Sequence, residues 1–434
     1  RRFDEAITAA QRAAAWALGR HARIEARELL RQALAWLEQL PESDARDRTE
    51  IELRMQLGAV LITTEGYTSR ELERSCQRTE LLCARHADMP LPVKFGLWAV
   101  RLMRGKPDEV EPLRGWFERE LGRGGTPIER MIASVSIGIY HYVRADYDRA
   151  RRYFEDAMAL FAPADHAGVV QTYGGCGGFY AHVYTVIVLW KLGRFGDAWH
   201  HARRSVALAE SLDPYSLGGV LSFEMMLHVG AGDTARTRAV AERVHEIATR
   251  YEFPFLADFA RCGRGWALAR SGEAERAMAD LGAGIDGIRQ LGVQTWLPYC
   301  LGLLAETALA LGDLDRAGRA LDDALEICRT SIDRSHEPEL LHLRGRLILA
   351  RDPAAREPAR AAFSEALALA QHHGGAALAL RAATDLAALL RDDHRPGEAM
   401  AVLDPVYRGL APDPDEPHLA PTRQLLAELS ARTA

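Results

Sequence analysis

The stretch that decides the fold is Ser136–Leu160, SIGIYHYVRADYDRARRYFEDAMAL. It contains two apolar stripes of helical period separated by one short polar turn. Gly138 is followed by Ala150, Phe154 and Ala157. Small residues are needed where two antiparallel helices touch closely, and a larger residue beside them fills the gap that the small ones leave. These offsets match the signature of a tetratricopeptide repeat.

Further copies follow. Gly265 leads to Ala277, and Ala305 to Ala317 and Ala324. Ala359, Phe363 and Ala366 form another copy, its loop two residues longer when counted from Gly345. Ala387 leads to Ala399, and weaker copies sit at Ala198 and Thr237. The small position of the second helix falls at 150, 198, 237, 277, 317, 359 and 399, in steps of 48, 39, 40, 40, 42 and 40. The basic repeat of this class is about 34 residues. A step near 40 makes each helix longer by a turn or so. The turns agree: LGRFGDA, GAGDTA, RSGEAERA, LGDLDRA and DDHRPGEA each close one helix with Gly or Asp and open the next with a polar cap.

Before residue 130 the register is degenerate. Ala26, Leu30 and Ala33 fit one hairpin, a second turns at Gly66, and a third turns at Gly105 and Pro107. No segment alternates with period two over a useful length. The expected fold is all-α, a right-handed tetratricopeptide-like superhelix of about ten long hairpins, forming one solenoid over 1–434. Repeats are degenerate over 1–130 and clearer over 131–410, with a loop and capping helix over 411–434. Two stretches are read as interruptions: the Gly-rich connection APADHAGVVQTYGGCGGF and the polar connection RTSIDRSHEPE. APDPDEPHLAP, Ala411–Pro421, reads as a plain connection before a closing helix near Pro421–Ser430.

Composition narrows the function classes. The 434 residues are 48% hydrophobic, enough for a large core. A formal net charge of −6 gives no strong pull toward nucleic acid or an anionic membrane. Lys94, Lys106 and Lys191 are the only lysines, and the arginines alternate with Asp and Glu, as on salt-bridged helix surfaces. Cys76, Cys83, Cys176, Cys262, Cys300 and Cys328 include no CxxC pair, which argues against a disulfide framework or a zinc cluster. No apolar run reaches the ~18 residues needed to span a bilayer. A cytoplasmic location is expected, and the Arg1 start suggests a piece of a longer chain.

The order of ITTEGYTSRELERSCQRTELL, QTYGGCGGFYAHVYTVIVLWKLGRFGDAW, RGWALARSGEAERAMADLGAGI and PELLHLRGRLILA resembles the C-terminal repeat region of bacterial multidomain AAA/STAND signalling ATPases. In those proteins a class III adenylate/guanylate cyclase or a serine/threonine kinase domain comes first. The resemblance covers nearly the whole chain and implies a regulatory role within a larger parent. One departure stands out: the family often carries YGGHDPG where this chain has Tyr173, Gly174, Gly175 and Cys176 followed by two glycines. Neither cyclase nor ATPase motifs are present, and GRGGTP at 122–127 lacks the lysine of a phosphate loop.

No catalytic residue, metal ligand or cofactor is assigned. The histidine pairs His200–His201 and His372–His373 point about 100° apart on a helix and chelate poorly. The Gly-rich loop reads either as a sharp turn or as a backbone nest for an anion. The concave wall of such a solenoid is built from the first helix of each hairpin. Tyr142, Tyr180, Trp190, Phe259, Trp266 and Tyr299 fall at or near inward offsets, with Arg264 and Glu306 as polar neighbours. They read either as groove anchors for a partner or as inter-repeat core. The expected function is a non-enzymatic interaction and regulatory module taking a protein, peptide or small effector in its groove. The alternative is the inducer-receptor domain of a STAND-type regulator.

Overall fold

The computed structural model describes residues 2–20, 22–66, 69–85, 90–410 and 416–433. Among the described residues, ten antiparallel hairpins follow one another. The first four are α1–α2 (Arg2–Gly19, Arg23–Leu37), α3–α4 (Asp44–Thr64, Arg70–Arg85), α5–α6 (Leu91–Met103, Pro107–Arg123) and α7–α8 (Pro127–Val143, Tyr147–Leu160). A short extra helix, α9 (His166–Tyr173), precedes the fifth hairpin, α10–α11 (Tyr180–Lys191, Phe195–Ala209). Then come α12–α13 (Pro214–Gly230, Thr234–Arg250), α14–α15 (Pro254–Arg270, Ala274–Gln290) and α16–α17 (Leu297–Ala310, Leu314–Thr330). The series ends with α18–α19 (Glu337–Arg351, Arg356–His372), α20–α21 (Ala376–Asp392, Pro396–Arg408) and a closing helix α22 (Ala420–Thr433). No strand occurs among the described residues. Residues 411–415 of the Pro- and Asp-rich connection lie outside them.

The 40-residue step has a simple origin. Each helix from α12 to α15 is 17 residues long, and three-residue turns join them. Asp caps recur at the turns within hairpins, before α8, α13 and α17: Asp146, Asp233 and Asp313 accept from the backbone N–H of Arg149, Arg236 and Arg316. The two helices of a hairpin differ in kind. In α8 only one stripe is buried, Tyr147, Ala150, Phe154 and Ala157. In α7 nearly every residue from Met131 to Val143 is buried, because it packs against its own partner and against neighbouring first helices.

Gly138 is small for a steric reason. A Cβ added there would lie 2.5 Å from Cε1 of Phe154, whose ring is completely buried. Gly345 and Phe363 repeat the relationship, again with 2.5 Å to Cε1. The longer loop between α18 and α19 leaves this contact intact.

Successive turns of the superhelix touch each other. Gln294 N–H donates to Met103 O (2.7 Å), Ile332 N–H to Gly105 O (2.9 Å) and Arg334 N–H to Val143 O (2.6 Å). Gly105 adopts φ 69°, and a Cβ there would meet Ser331 Cβ at 2.8 Å, so the contact requires glycine on both counts. Arg23 on α2 reaches forward to Asp213 (4.0 Å) and covers the Phe253 ring. A simple solenoid has contacts only between neighbouring repeats; this one is also bonded from turn to turn.

Two connections read as interruptions prove to be structured. The Gly-rich one contains α9 and two short 3-10 turns, Pro163–Asp165 and Gly177–Phe179. The polar one buries Ser331, Asp333, Ser335 and His336 against the preceding superhelical turn.

Candidate functional site

Much of the superhelix axis is filled by aromatic side chains. Trp296, just before α16, stands against Tyr142 (6.1 Å between centroids), Phe223 (5.3 Å) and Phe259 (5.7 Å). Tyr184 closes the cluster at 5.2 Å from Tyr142 and 5.0 Å from Phe223. A small apolar cavity of about 70 Å³ remains beside it, with Tyr180, Phe259 and Cys176 in its wall.

Beyond this plug the axis opens into a polar cavity of about 530 Å³. Its walls come from the consecutive first helices α10, α12, α14, α16, α18 and α20, with the start of α22 at one side. Charges converge here from positions far apart in sequence. Glu306 on α16 accepts from Trp266 Nε1 and from Arg270 Nη2, both at 2.9 Å. The Arg270 guanidinium lies over the Trp266 ring, 3.7 Å from its centroid. Arg381 on α20 donates to Glu339 on α18 at 2.8 Å and stands 3.8 Å from Glu306. Lys191 at the end of α10 is buried, with Nζ 3.4 Å from both Ser335 O and His336 Nδ1 and 3.7 Å from Glu339. On the far wall His342 donates to Asp385 at 2.8 Å.

The site's electrostatics follow from depth and proximity. Burial pulls the Lys191 ammonium below its ordinary pKa, and Glu339 and Asp333 oppose that pull. Burial alone would raise Glu339, but Lys191, the His336 hydrogen bond and Arg381 outweigh it and hold the carboxyl well below the usual range. Burial, with the charge of Lys191, takes His336 down to about 4, so its ring is neutral near pH 7. Burial also lowers Arg270; Glu306 opposes the effect, and the nearby Arg381 and Arg346 charges add to it. Such a chain of alternating charges can hold a polar guest.

The residues singled out in the sequence divide among four places. Trp190, Trp266, Tyr299 and Glu306 line the polar cavity. Tyr180 and Phe259 line the small apolar one, with Tyr142 completely buried beside it. Arg264 instead pairs with Asp280 on α15 through two hydrogen bonds of 2.6 and 3.0 Å, locking its own hairpin. Tyr173 packs edge-on to Phe95, and Gly174, at φ 74°, presses on the α3 backbone, where an added Cβ would lie 2.7 Å from Ala59 O. Gly175 is also at positive φ, and burial pushes the Cys176 thiol well up.

Lys191, Arg270, His336, Glu339, Arg346, Arg381 and Asp385 were not singled out. A signal existed for two of them. Lys191 ends the apolar run YTVIVLW, and Arg270 lies one helical turn after Trp266. Nothing local marks His336, which reaches the cavity only because its loop folds onto the preceding turn.

A second polar cluster lies apart from the cavity. His166 Nε2 is 2.7 Å from Asp213 Oδ2 and 3.3 Å from Ser216 Oγ, while Ser216 Oγ donates to Asp213 at 2.6 Å. Asp213 also accepts from the first N–H groups of α12. Ser216 is completely buried and its proton is committed to the cap, so the cluster works as a helix cap joined to α9.

No family model matches this chain. An uncharacterized protein of Rhizobium meliloti (strain 1021) is 26% identical to it over 386 residues, which is 84% of this chain and 36% of that protein. The chain therefore spans little more than a third of the length of its curated relative. Among solved structures, a Rap protein complexed with competence and sporulation factor is similar at a TM-score of 0.53 and 12% identity, over 99% of each chain. The APC/C hetero-tetramer Cut9–Hcn1 is similar at 0.52 and 12%, over 93% of this chain and 76% of that one. The fold is that of tetratricopeptide-like superhelical proteins. At these identities the likeness is one of architecture.

Proposed function

We propose that this chain is a non-enzymatic binding and regulatory module, the sensor or docking arm of a larger signalling ATPase or cyclase. It holds a short peptide or small effector in the polar cavity. The observation that carries this reading is that six consecutive first helices each supply part of one wall. Any rotation between repeats changes the cavity's shape, so a guest that fits one shape favours one superhelical pitch. Small rotations summed along the array would move whatever is attached to its ends. The link to an ATPase or cyclase rests on the resemblance of the motif order.

A second reading is an inducer receptor for a small metabolite. The cavity's size favours it, since about 530 Å³ lies within the range of roughly 300–1,000 Å³ usual for small-ligand sites. A thermal-shift screen of peptides and metabolites, followed by hydrogen exchange on any hit, tests both readings. Protection across α10, α14, α16, α18 and α20 together is expected. A hit that protects only one hairpin would exclude the regulatory mechanism.

A further inference from the structure

Three candidates outside the described roles are the capped His166–Asp213–Ser216 cluster, the small apolar cavity and the unequal hydrogen bonding inside the polar cavity. The first is fully used as a helix cap, and the second holds nothing larger than a few waters. The third has direction.

The carboxylates of the polar cavity are engaged. Both oxygens of Glu306 accept hydrogen bonds, from Trp266 and Arg270. Glu339 accepts from Arg381 with one oxygen and faces Lys191 and His336 with the other. Asp385 accepts from His342. The donors are left over. Arg346 has no hydrogen-bond partner among the described residues, its Nε standing 4.0 Å from Asp385, and its side chain is 42% exposed. Lys191 Nζ makes only long contacts of 3.4 Å. Tyr299 Oη and His336 Nε2 have no hydrogen-bond partner among the described residues, although these residues are only 7% and 2% exposed. His336 Nδ1 stands 3.4 Å from both the Lys191 ammonium and the Glu339 carboxylate, so which of the two it serves sets the ring's tautomer and whether Nε2 donates or accepts. Buried donors without acceptors are costly and uncommon in native proteins. Three guanidinium groups, Arg270, Arg346 and Arg381, also crowd one cavity, the last two close enough to Arg270 to lower its proton affinity. A guest rich in acceptors and negative charge answers both the spare donors and the crowding.

We infer that the guest of the polar cavity carries an anionic head group, a carboxylate or a phosphate, received by Arg346 at the open side with Lys191 and Tyr299 as the deeper donors. This rests on the reading of the chain as an effector-holding module and adds the chemistry of the effector. Arg346 is the suited first contact, since its planar fork matches either head group with two parallel hydrogen bonds.

The test uses the full chain at constant ionic strength. Inorganic phosphate and pyrophosphate form one arm, glutarate and citrate the other, with spermidine as the cationic comparison and chloride as the background salt. A saturable rise in melting temperature with at least one anion is expected, and the arm that saturates identifies the head group. Arg346→Gln should weaken that binding about tenfold or more, and Arg346→Lys by less. Arg344→Gln, which removes a pair with Asp322 on α17, should leave binding unchanged. The inference is overturned if no anion saturates, if chloride matches the effect, or if Arg346→Gln binds as well as the parent chain. Saturation by spermidine alone overturns the anionic head group while leaving an effector-holding cavity standing. Anion binding that depends on Arg346 without protection across the first helices leaves this inference standing and sinks the regulatory reading.

Discussion

Tyr147 Oη donates to Ser335 O at 2.9 Å across 188 residues of chain. Tyr147 is completely buried at the start of α8, and Ser335 lies in the loop before α18. The bond fastens one superhelical turn to the next, directly under Lys191 and His336 of the polar cavity. Tyr147→Phe keeps the packing and removes the donor. It should cost about 1 kcal/mol and speed amide exchange in 331–336 before any other segment. Unchanged exchange there would show that the loop is held by its neighbours alone.

Gly138→Ala tests the close approach within the hairpin. The new methyl would collide with the Phe154 ring, so a loss of about 1–3 kcal/mol is expected. Phe154→Leu is itself destabilising through lost burial, yet it frees the space. The double variant should therefore be more stable than the two losses summed, and thermal unfolding of all four chains measures that coupling. Strict additivity would mean that the ring moves aside freely.

Glu306→Gln keeps an oxygen for Trp266 Nε1 but removes the charge beside Arg270 and Arg381. The Glu306 side chain is mostly buried, so a loss of about 1–3 kcal/mol is expected. The change should also shift Trp266 fluorescence, because Arg270 would no longer be held over the ring. Added salt should recover part of the lost stability by screening the uncompensated guanidinium groups. A salt-independent loss would locate the effect in packing.

The pH dependence has two opposed parts. Burial lowers His182, His336, His373 and His418 to about 4. Between pH 6.5 and about 4 the unfolded chain binds more protons at these rings, so stability is lost as pH falls through that window. Burial raises Asp333 to about 6, despite hydrogen bonds from Ser335. The folded chain then holds the extra proton, so this contribution is present below pH 3.8 and is lost as pH rises toward 6. Burial also lowers His141, His201 and His245 and raises Asp258, so the histidines outnumber the opposing aspartates and the melting temperature should fall on acidification from pH 7 to 4.5. Asp333→Asn should steepen that fall by removing its opposing contribution, and it should raise stability at pH 7. Melting curves across this range would contradict the assignment if both chains showed one slope.

The sequence by itself determined the hairpins. Helical period, small residues at fixed offsets and polar turns are local, so Gly138, Ala150 and Phe154 disclose a helix pair without reference to the rest of the chain. It set Trp190, Trp266, Tyr299 and Glu306 at or near inward offsets together with Tyr142, Tyr180, Phe259 and Arg264, and did not separate groove from core among them. It did not determine how far the superhelix closes. That depends on small rotations between repeats summed over a full turn, and on loops such as 331–336 that bond to residues some 190 positions earlier. Only tertiary structure decided that Tyr142 and Phe259 meet Trp296 in a filled axis while Trp266 and Glu306 face an open cavity. Only tertiary structure, likewise, brought Lys191, His336, Glu339 and Arg381 together, since charges carried on separate helices meet where the turns stack and not where the sequence repeats.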